Sequence, residues 1–213
     1  MRLESVNRSR PRTLTLLGRE RVTGIAKEPT TGPVTVGPDG LDGDGVGNPT
    51  DHGGVDQALY LYGLDEYRWW AGEAGLDVVP GLFGENLTVS ELASASVEVG
   101  DRLAVGPVVL EVTAPRIACA TLSGRVGDGG FAARFAEARR PGAYARVLTG
   151  GPLQAGADIV ATAGGSGVTL LDCVAAYYDP ATPSAEVERL LASPLASRFR
   201  TMLERRLATG QPA

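Results

Sequence analysis

Up to about residue 163 the apolar positions fall in short alternating or paired runs broken by Gly, Pro and Asp. Such runs predict β-strands, because a strand sends successive side chains to opposite faces and ends where turn-forming residues cluster. The pattern places strands at Arg12 to Leu17, Val34 to Val36, Ala58 to Tyr62, Asn86 to Val89, Arg102 to Val105, Val108 to Thr113, Ala143 to Leu148 and Ile159 to Thr162. Gly106-Pro107 and Gly150-Gly151 read as tight turns between antiparallel neighbours. This strand density predicts a mainly β fold, a barrel or a bent sandwich. Two helical inserts interrupt it, at about Leu64 to Ala74 and Phe131 to Arg139, and Tyr67, Trp69 and Trp70 in the first are expected in the core or at a barrel rim.

After Gly164-Gly165-Ser166-Gly167, which reads as a flexible joint, the period changes. Thr169 with Asp172 has the spacing of a capping box that opens a helix to about Tyr178, and Asp179-Pro180 ends it. Pro183-Ser184 with Glu186 opens a second helix and Ser193-Pro194 a third, in which Leu195, Phe199, Met202, Leu203 and Leu207 form one apolar stripe. The expected organisation is therefore a β domain over 1–163 and a small three-helix appendix over 168–213.

Composition narrows the function classes. The 213 residues are 43% apolar and 21% charged, which suits a folded domain, and the apolar runs are too short to span a bilayer. The first residues, Met1-Arg2-Leu3-Glu4-Ser5-Val6, lack the apolar core of an export signal, and two distant cysteines give no disulfide framework, so a reducing cytoplasm is expected. A net charge of −5 with scattered arginines argues against a nucleic-acid surface.

The chemistry-bearing side chains are few. Cys119 closes Pro115-Arg116-Ile117-Ala118-Cys119, and a thiolate beside a cation is both a soft-metal ligand and a nucleophile. Lys27 is the lone lysine against nineteen arginines, and His52 is the lone histidine. No Gly-x-Ser-x-Gly elbow, zinc spacing, complete calcium loop or dinucleotide fingerprint occurs. His52-Gly53-Gly54 offers an imidazole beside glycines that allow close backbone approach, and Gly81 to Leu87 makes a turn ending in Glu85 and Asn86.

In order, Gly24-Ile25-x-Lys27, Gly40-Leu41-x-Gly43-Asp44, His52-Gly53-Gly54-x-Asp56-x-Ala58, Phe83-Gly84-Glu85-Asn86-Leu87, Gly100-Asp101, Pro115-Arg116-x-x-Cys119 and Gly142-x-Tyr144-x-Arg146-Val147-Leu148 resemble the MOSC family, named from the C-terminal region of molybdenum-cofactor sulfurases. Residues 168 to 209 resemble the three-helix appendix of a bacterial branch associated with detoxifying N-hydroxylated bases such as 6-hydroxylaminopurine. The resemblance implies a bent β-barrel and a molybdenum cofactor, with Cys119 as the metal ligand alongside the dithiolene sulfurs of a pyranopterin. It implies cofactor contacts from Lys27, His52, Gly53, Gly54, Asn86, Arg116, Thr121 and Arg146. Some relatives carry Lys where this chain has Thr121, which puts substrate preference in question.

The reaction so implied is reduction of N–OH to N–H, with Glu85 or Asp56 relaying protons. No flavin, haem or iron–sulfur motif is present, so a separate flavin or iron–sulfur reductase is the expected electron donor; a homodimer is possible, and neither a nucleic acid nor a membrane is an expected partner. Two alternatives stay open: a sulfur or cofactor carrier using a Cys119 persulfide, and a non-catalytic ligand-binding module.

Overall fold

The computed structural model describes residues 1–47 and 53–209. In chain order the strands are β1 (Leu3–Arg8), β2 (Arg12–Leu16), β3 (Arg19–Thr23), β4 (Glu28–Pro29), β5 (Val34–Gly37), β6 (Gly40–Leu41), β7 (Leu59–Gly63), β8 (Leu87–Val89), β9 (Arg102–Val105), β10 (Val108–Pro115), β11 (Ala143–Thr149), β12 (Gly151–Leu153) and β13 (Ile159–Thr162). The helices are α1 (Leu64–Ala74), α2 (Ala120–Val126), α3 (Phe131–Ala138), α4 (Leu170–Tyr178), α5 (Ser184–Leu191) and α6 (Ser197–Thr209). Eight strands form one bent sheet in the order β13-β9-β10-β11-β7-β8-β1-β4, β12-β5-β6 form a second, and β2-β3 stand apart as a hairpin.

The fold is mainly β with helices, as the strand pattern predicts, but the sheet does not close into a hydrogen-bonded barrel. Its two edge strands, β13 and β4, are unpaired with each other, and the seam is held instead between the start of β1 and the approach to β13, by an isolated Arg2–Asp158 bridge with Leu3 N–H to Ala157 O (2.9 Å), Gly156 N–H to Leu3 O (2.7 Å) and Ile159 N–H to Met1 O (2.8 Å). Gly106-Pro107 does turn β9 into antiparallel β10. Gly150-Gly151 does not make the expected hairpin: β12 leaves the large sheet to pair with β5, and a Cβ on Gly150 would stand 2.4 Å from Val36 O.

Strand β7 shows how the sheet separates two cores. Its alternation sends Leu59 and Leu61 into an aliphatic core with Leu3, Leu87 and Leu110, and sends Tyr60 and Tyr62 into an aromatic cluster with Tyr67, Trp70, Phe83, Phe131 and Phe135. Trp70 and Phe135 stack with centroids 6.0 Å apart, and Trp70 Nε1 donates to Tyr62 Oη at 2.8 Å, which satisfies the indole in a dry setting. The Trp70 side of α1 is thus core.

The three C-terminal helices follow the sequence reading with one shift. Thr169 and Asp172 form the full capping box of α4, while α6 begins at Ser197 rather than at Ser193-Pro194. Leu170, Cys173, Leu190, Leu195 and Leu203 join the same aliphatic core as the sheet. The glycine-rich joint is strapped rather than flexible: Gly164 N–H donates to Asp101 Oδ1 (2.8 Å), and Gly167 N–H to Glu98 Oε2 (2.9 Å). Cys173 is fully buried, and burial pushes its thiol up to about 12, in keeping with a packing role.

Candidate functional site

Strand β10 ends at Pro115, paired with Ala143, and the chain then turns inward. Arg116 is buried with its Nη1 donating to Phe83 O at 2.8 Å and its guanidinium carbon 4.9 Å from the centre of the Tyr60 ring. Its Nε has no hydrogen-bond partner. Burial works against the charge, but Tyr144, Tyr60, Cys119 and Glu85 outweigh it, so the net shift is upward and Arg116 stays a cation. Cys119 follows in extended conformation (φ −138°) and caps α2 with its carbonyl, which accepts from Leu122 N at 3.0 Å and Ser123 N at 3.2 Å. It is half-buried and in no disulfide.

Cys119 and Tyr144 line two adjoining cavities. The smaller, about 70 Å³, is walled by Gly24, Lys27, Gly45, Gly84, Arg116 and Thr121. Its glycines are steric requirements: a Cβ on Gly24 would lie 2.0 Å from Gly45 O, and Gly84 (φ +77°) would meet Ile25 Cγ1 at 2.9 Å. The larger, about 390 Å³, opens between the sheet and the helical region and is lined by Gln57, Ile117 and Ala118 on one side and Tyr177, Arg198, Phe199 and Met202 on the other. Among the described residues neither cavity is lined by a carboxylate.

Lys27 is buried beside this site, and both Asp44 oxygens lie 2.5 Å from its Nζ. Burial lowers the Lys27 pKa while Asp44 pulls it back up. Asn86 Nδ2 also donates to Asp44 (2.8 Å), and Asn86 Oδ1 accepts Tyr60 N–H at 3.1 Å. The predicted Lys27, Arg116 and Thr121 therefore line the smaller cavity with Cys119, while Asn86 lines neither cavity and reaches Lys27 through Asp44.

The other predicted residues sit elsewhere. Glu85 is fully buried, its Oε1 accepting from Gly81 N (2.6 Å) and Thr88 Oγ1 (2.8 Å) and its Oε2 from Tyr67 Oη (2.8 Å), so it braces the 81–88 turn and lines neither cavity. Desolvation raises its pKa. Asp56 caps α6 by accepting from Ser197 N–H at 2.9 Å and from the Ser197 hydroxyl. Although burial works the other way, these bonds and Arg146 hold its carboxyl below the usual range. Arg146 lies 3.1 Å from Asp56 through Nε, an ion contact rather than an aligned hydrogen bond, and donates to Glu111 (3.3 Å) and Pro194 O (3.0 Å). Asp56 and Arg146 thus clamp the helices to the sheet. Gly53 and Gly54 line a separate depression with Asp56 and Ser197, and His52 lies outside the described residues.

The family model of the MOSC domain matches residues 48–160, more than half of the chain. The chain belongs to the MOSC family. A second model, the YiiM-like 3-alpha helix domain, matches residues 168–210. Protein YiiM of Escherichia coli (strain K12) is 30% identical over 192 residues, covering 87% of this MOSC chain and 85% of YiiM. The crystal structure of YiiM from Geobacillus stearothermophilus superposes with a TM-score of 0.79 at 25% identity, covering 97% of this chain and 98% of that one. A protein named Reductase from Gibberella moniliformis (strain M3125 / FGSC 7600) is 33% identical over 149 residues, 67% of this chain but 26% of that protein.

Two residues that stand in the MOSC motifs, Asp44 and Tyr144, carry no assigned role in the sequence reading although the structure brings them to the site. The pairing of Asp44 with Lys27 is made across 17 residues of sequence, which the Gly40-Leu41-x-Gly43-Asp44 motif by itself does not reveal. Tyr144 sits on β11 opposite Ala114 of β10, a register that brings its hydroxyl-bearing ring to the Cys119 cavities and that sequence periodicity alone does not specify.

Proposed function

We propose that this MOSC protein binds a molybdenum cofactor through Cys119 and reduces N-hydroxylated compounds to amines with electrons from a separate flavin or iron–sulfur reductase. The observation that carries this reading is the position of Cys119, the soft donor at the junction of a cationic, glycine-walled cavity and a roomier aromatic one. Among the described residues no cluster of three or more His, Cys, Asp or Glu is arranged to hold a metal, so a metal here would depend on a cofactor for its other ligands. The donor set fits such a group: one thiol, a buried cation whose Nε lacks a partner, and backbone left bare by glycine. The small cavity does not hold a pterin by itself, so the group would extend across the junction. Support also comes from the reductase name borne by one relative.

The bound group supplies the two-electron oxygen chemistry. The chain's own residues supply the setting. Cys119 would ligate the metal, and Arg116 and Thr121 would bind the pterin, Arg116 as a desolvated cation and Thr121 as a hydroxyl. Lys27, Asp44 and Asn86 form a neutralised floor that holds loop and turn in register. Tyr144, which lines both cavities where Glu85 and Asp56 line neither, would serve as the protic group, and the Tyr177–Phe199 wall, with centroids 6.4 Å apart, would orient a flat substrate. The balance is R–NHOH + 2e⁻ + 2H⁺ giving R–NH₂ + H₂O. Supplying cofactor-loaded protein with dithionite-reduced viologen and a panel of hydroxylamines, amidoximes and N-hydroxy bases tests the proposal: amine formation supports it. Sulfane sulfur on Cys119 with no amine from any compound would favour the sulfur-carrier reading instead.

A further inference from the structure

A depression of about 420 Å³ opens to solvent where the end of β1, the start of β2, β4 and the turn after β6 meet. Arg8, Arg10 and Arg12 line it together with Glu28 and Gly43, in a chain whose net charge is −5. Arg8 stands opposite Glu28 in the β1–β4 ladder, and Glu28 Oε1 accepts from Arg12 Nη2 at 3.2 Å. One carboxylate thus offsets one of three guanidiniums. Among the described residues no carboxylate pairs with Arg8 or Arg10, whereas Arg102, Arg134, Arg146 and Arg189 each face one.

The local backbone holds these cations in place. Arg8 Nη1 donates to Asp42 O at 2.6 Å and lies across Gly43, where a Cβ would stand 2.9 Å from the same nitrogen. Gly43 also holds φ at +77°, so a side chain there is excluded on two counts. Arg10 is followed by Pro11, whose ring fixes φ and whose Cδ lies 2.8 Å from where a Cβ on Gly45 would be. Ser9 N–H donates to Asp44 Oδ1 at 2.8 Å, and Gly45 N–H donates to Ser9 O at 3.1 Å. The arginine loop is therefore stitched to residues 42–45. Asp44 is also the partner of Lys27, and Gly45 lines the smaller Cys119 cavity, so the two hollows back onto one segment while sharing no lining residue.

Two guanidiniums without carboxylates match a compact anion rich in acceptor oxygens, because each planar fork can give paired N–H bonds to a phosphate. Among the described residues no aromatic side chain lines the depression, so a base or ring would find nothing to stack on. Charge is what the hollow recognises. We infer that it binds the phosphate end of a small molecule, a diphosphate or a phosphomonoester, at a site separate from the Cys119 cavity. This site goes beyond the reductase reading and does not depend on it.

The test titrates the whole chain with sodium diphosphate and with glycerol phosphate in a calorimeter at about 0.1 M salt, where exposed charges are screened beyond about 10 Å. At least one probe should bind wild type, and Arg8→Gln/Arg10→Gln should weaken it about tenfold or more. Arg10→Gln alone, whose wild-type side chain bonds to no described residue, should weaken it by a smaller factor without changing thermal unfolding. Arg19→Gln/Arg21→Gln removes the same charge farther along the hairpin and should change affinity less than about threefold. Binding should slow hydrogen exchange in residues 8–12 and 42–45. Binding of diphosphate alone supports a diphosphate ligand, and comparable binding of both probes supports a terminal phosphate. The inference is overturned if neither probe binds wild type, if the two double variants weaken binding equally, if the slowed exchange falls on residues 116–124 instead, or if duplex DNA binds more tightly than both probes.

Discussion

Lys27 Nζ and the Asp44 carboxylate form a buried ion pair 2.5 Å apart, with side chains only 7% and 12% exposed. The lone lysine is thereby neutralised in place, so the cationic character of the smaller Cys119 cavity comes from Arg116. Breaking such a pair from one side leaves a charge stranded in low dielectric. Lys27→Met should cost about 3 kcal/mol or more in chemical denaturation, and Lys27→Met/Asp44→Asn should recover much of that loss. Lys27→Arg should lower cofactor occupancy although charge is kept, since a planar guanidinium does not fit a site built for a compact ammonium. Equal stability of the single and double variants would remove the pair from the account.

Glu66 gives a pH signature. Burial, partly offset by the Ser94 hydrogen bonds, raises its pKa to about 7, and its Oε2 has no partner. The folded state therefore holds a proton that the unfolded chain releases at the ordinary carboxylate pKa. Its contribution is fully present below about pH 4.5 and is lost as pH rises through about 7. Glu66→Gln should leave stability near pH 4 unchanged and raise it at pH 8 by on the order of 1–3 kcal/mol. Denaturation curves at both values check this; an equal effect at both would refute it.

Asp56 and Arg146 are predicted to hold the helices rather than the cofactor. Asp56→Ala removes the acceptor of Ser197 N–H at the start of α6 and should cost about 1–2 kcal/mol. Hydrogen exchange should speed up in α6 while cofactor occupancy stays intact. Loss of cofactor without faster exchange would return Asp56 to the site.

Legibility followed the range of the interactions. Strands β9 and β13 are legible to the residue because each is a short apolar run, Leu103-Ala104-Val105 and Ile159-Val160-Ala161, set close to turn residues. Strand β1 was missed because Ser5 and Asn7 point inward, where Asn7 donates to Thr88 Oγ1 at 2.9 Å, so a buried face reads as polar. Helix α2 was missed because Ala120-Thr121-Leu122-Ser123-Gly124 carries no capping side chain and no apolar stripe. The motifs marked Cys119, Arg116, Lys27 and Asn86, which the fold assembles. They do not separate these from Asp56 and Arg146, whose partners come from distant segments, or from Glu85, whose bonds to Gly81, Thr88 and Tyr67 turn it away from the cavities.

The helical wall should set substrate size. Tyr177→Ala/Phe199→Ala opens one side of the larger cavity, and KM for an aromatic N-hydroxy compound should rise about tenfold while that for hydroxylamine itself barely moves. An equal rise for both would place substrate elsewhere.

The central claim is that Cys119 is the ligand of a molybdenum cofactor, and metal analysis tests it most directly. Wild-type protein, Cys119→Ser and Cys173→Ser are purified from a host that makes the cofactor, and molybdenum and pterin are measured on each beside its thermal unfolding. The account predicts stoichiometric molybdenum in wild type and in Cys173→Ser, the latter less stable by about 1–3 kcal/mol for its buried hydroxyl, and a folded Cys119→Ser that holds no molybdenum. Full molybdenum in Cys119→Ser, or none in wild type, would contradict it.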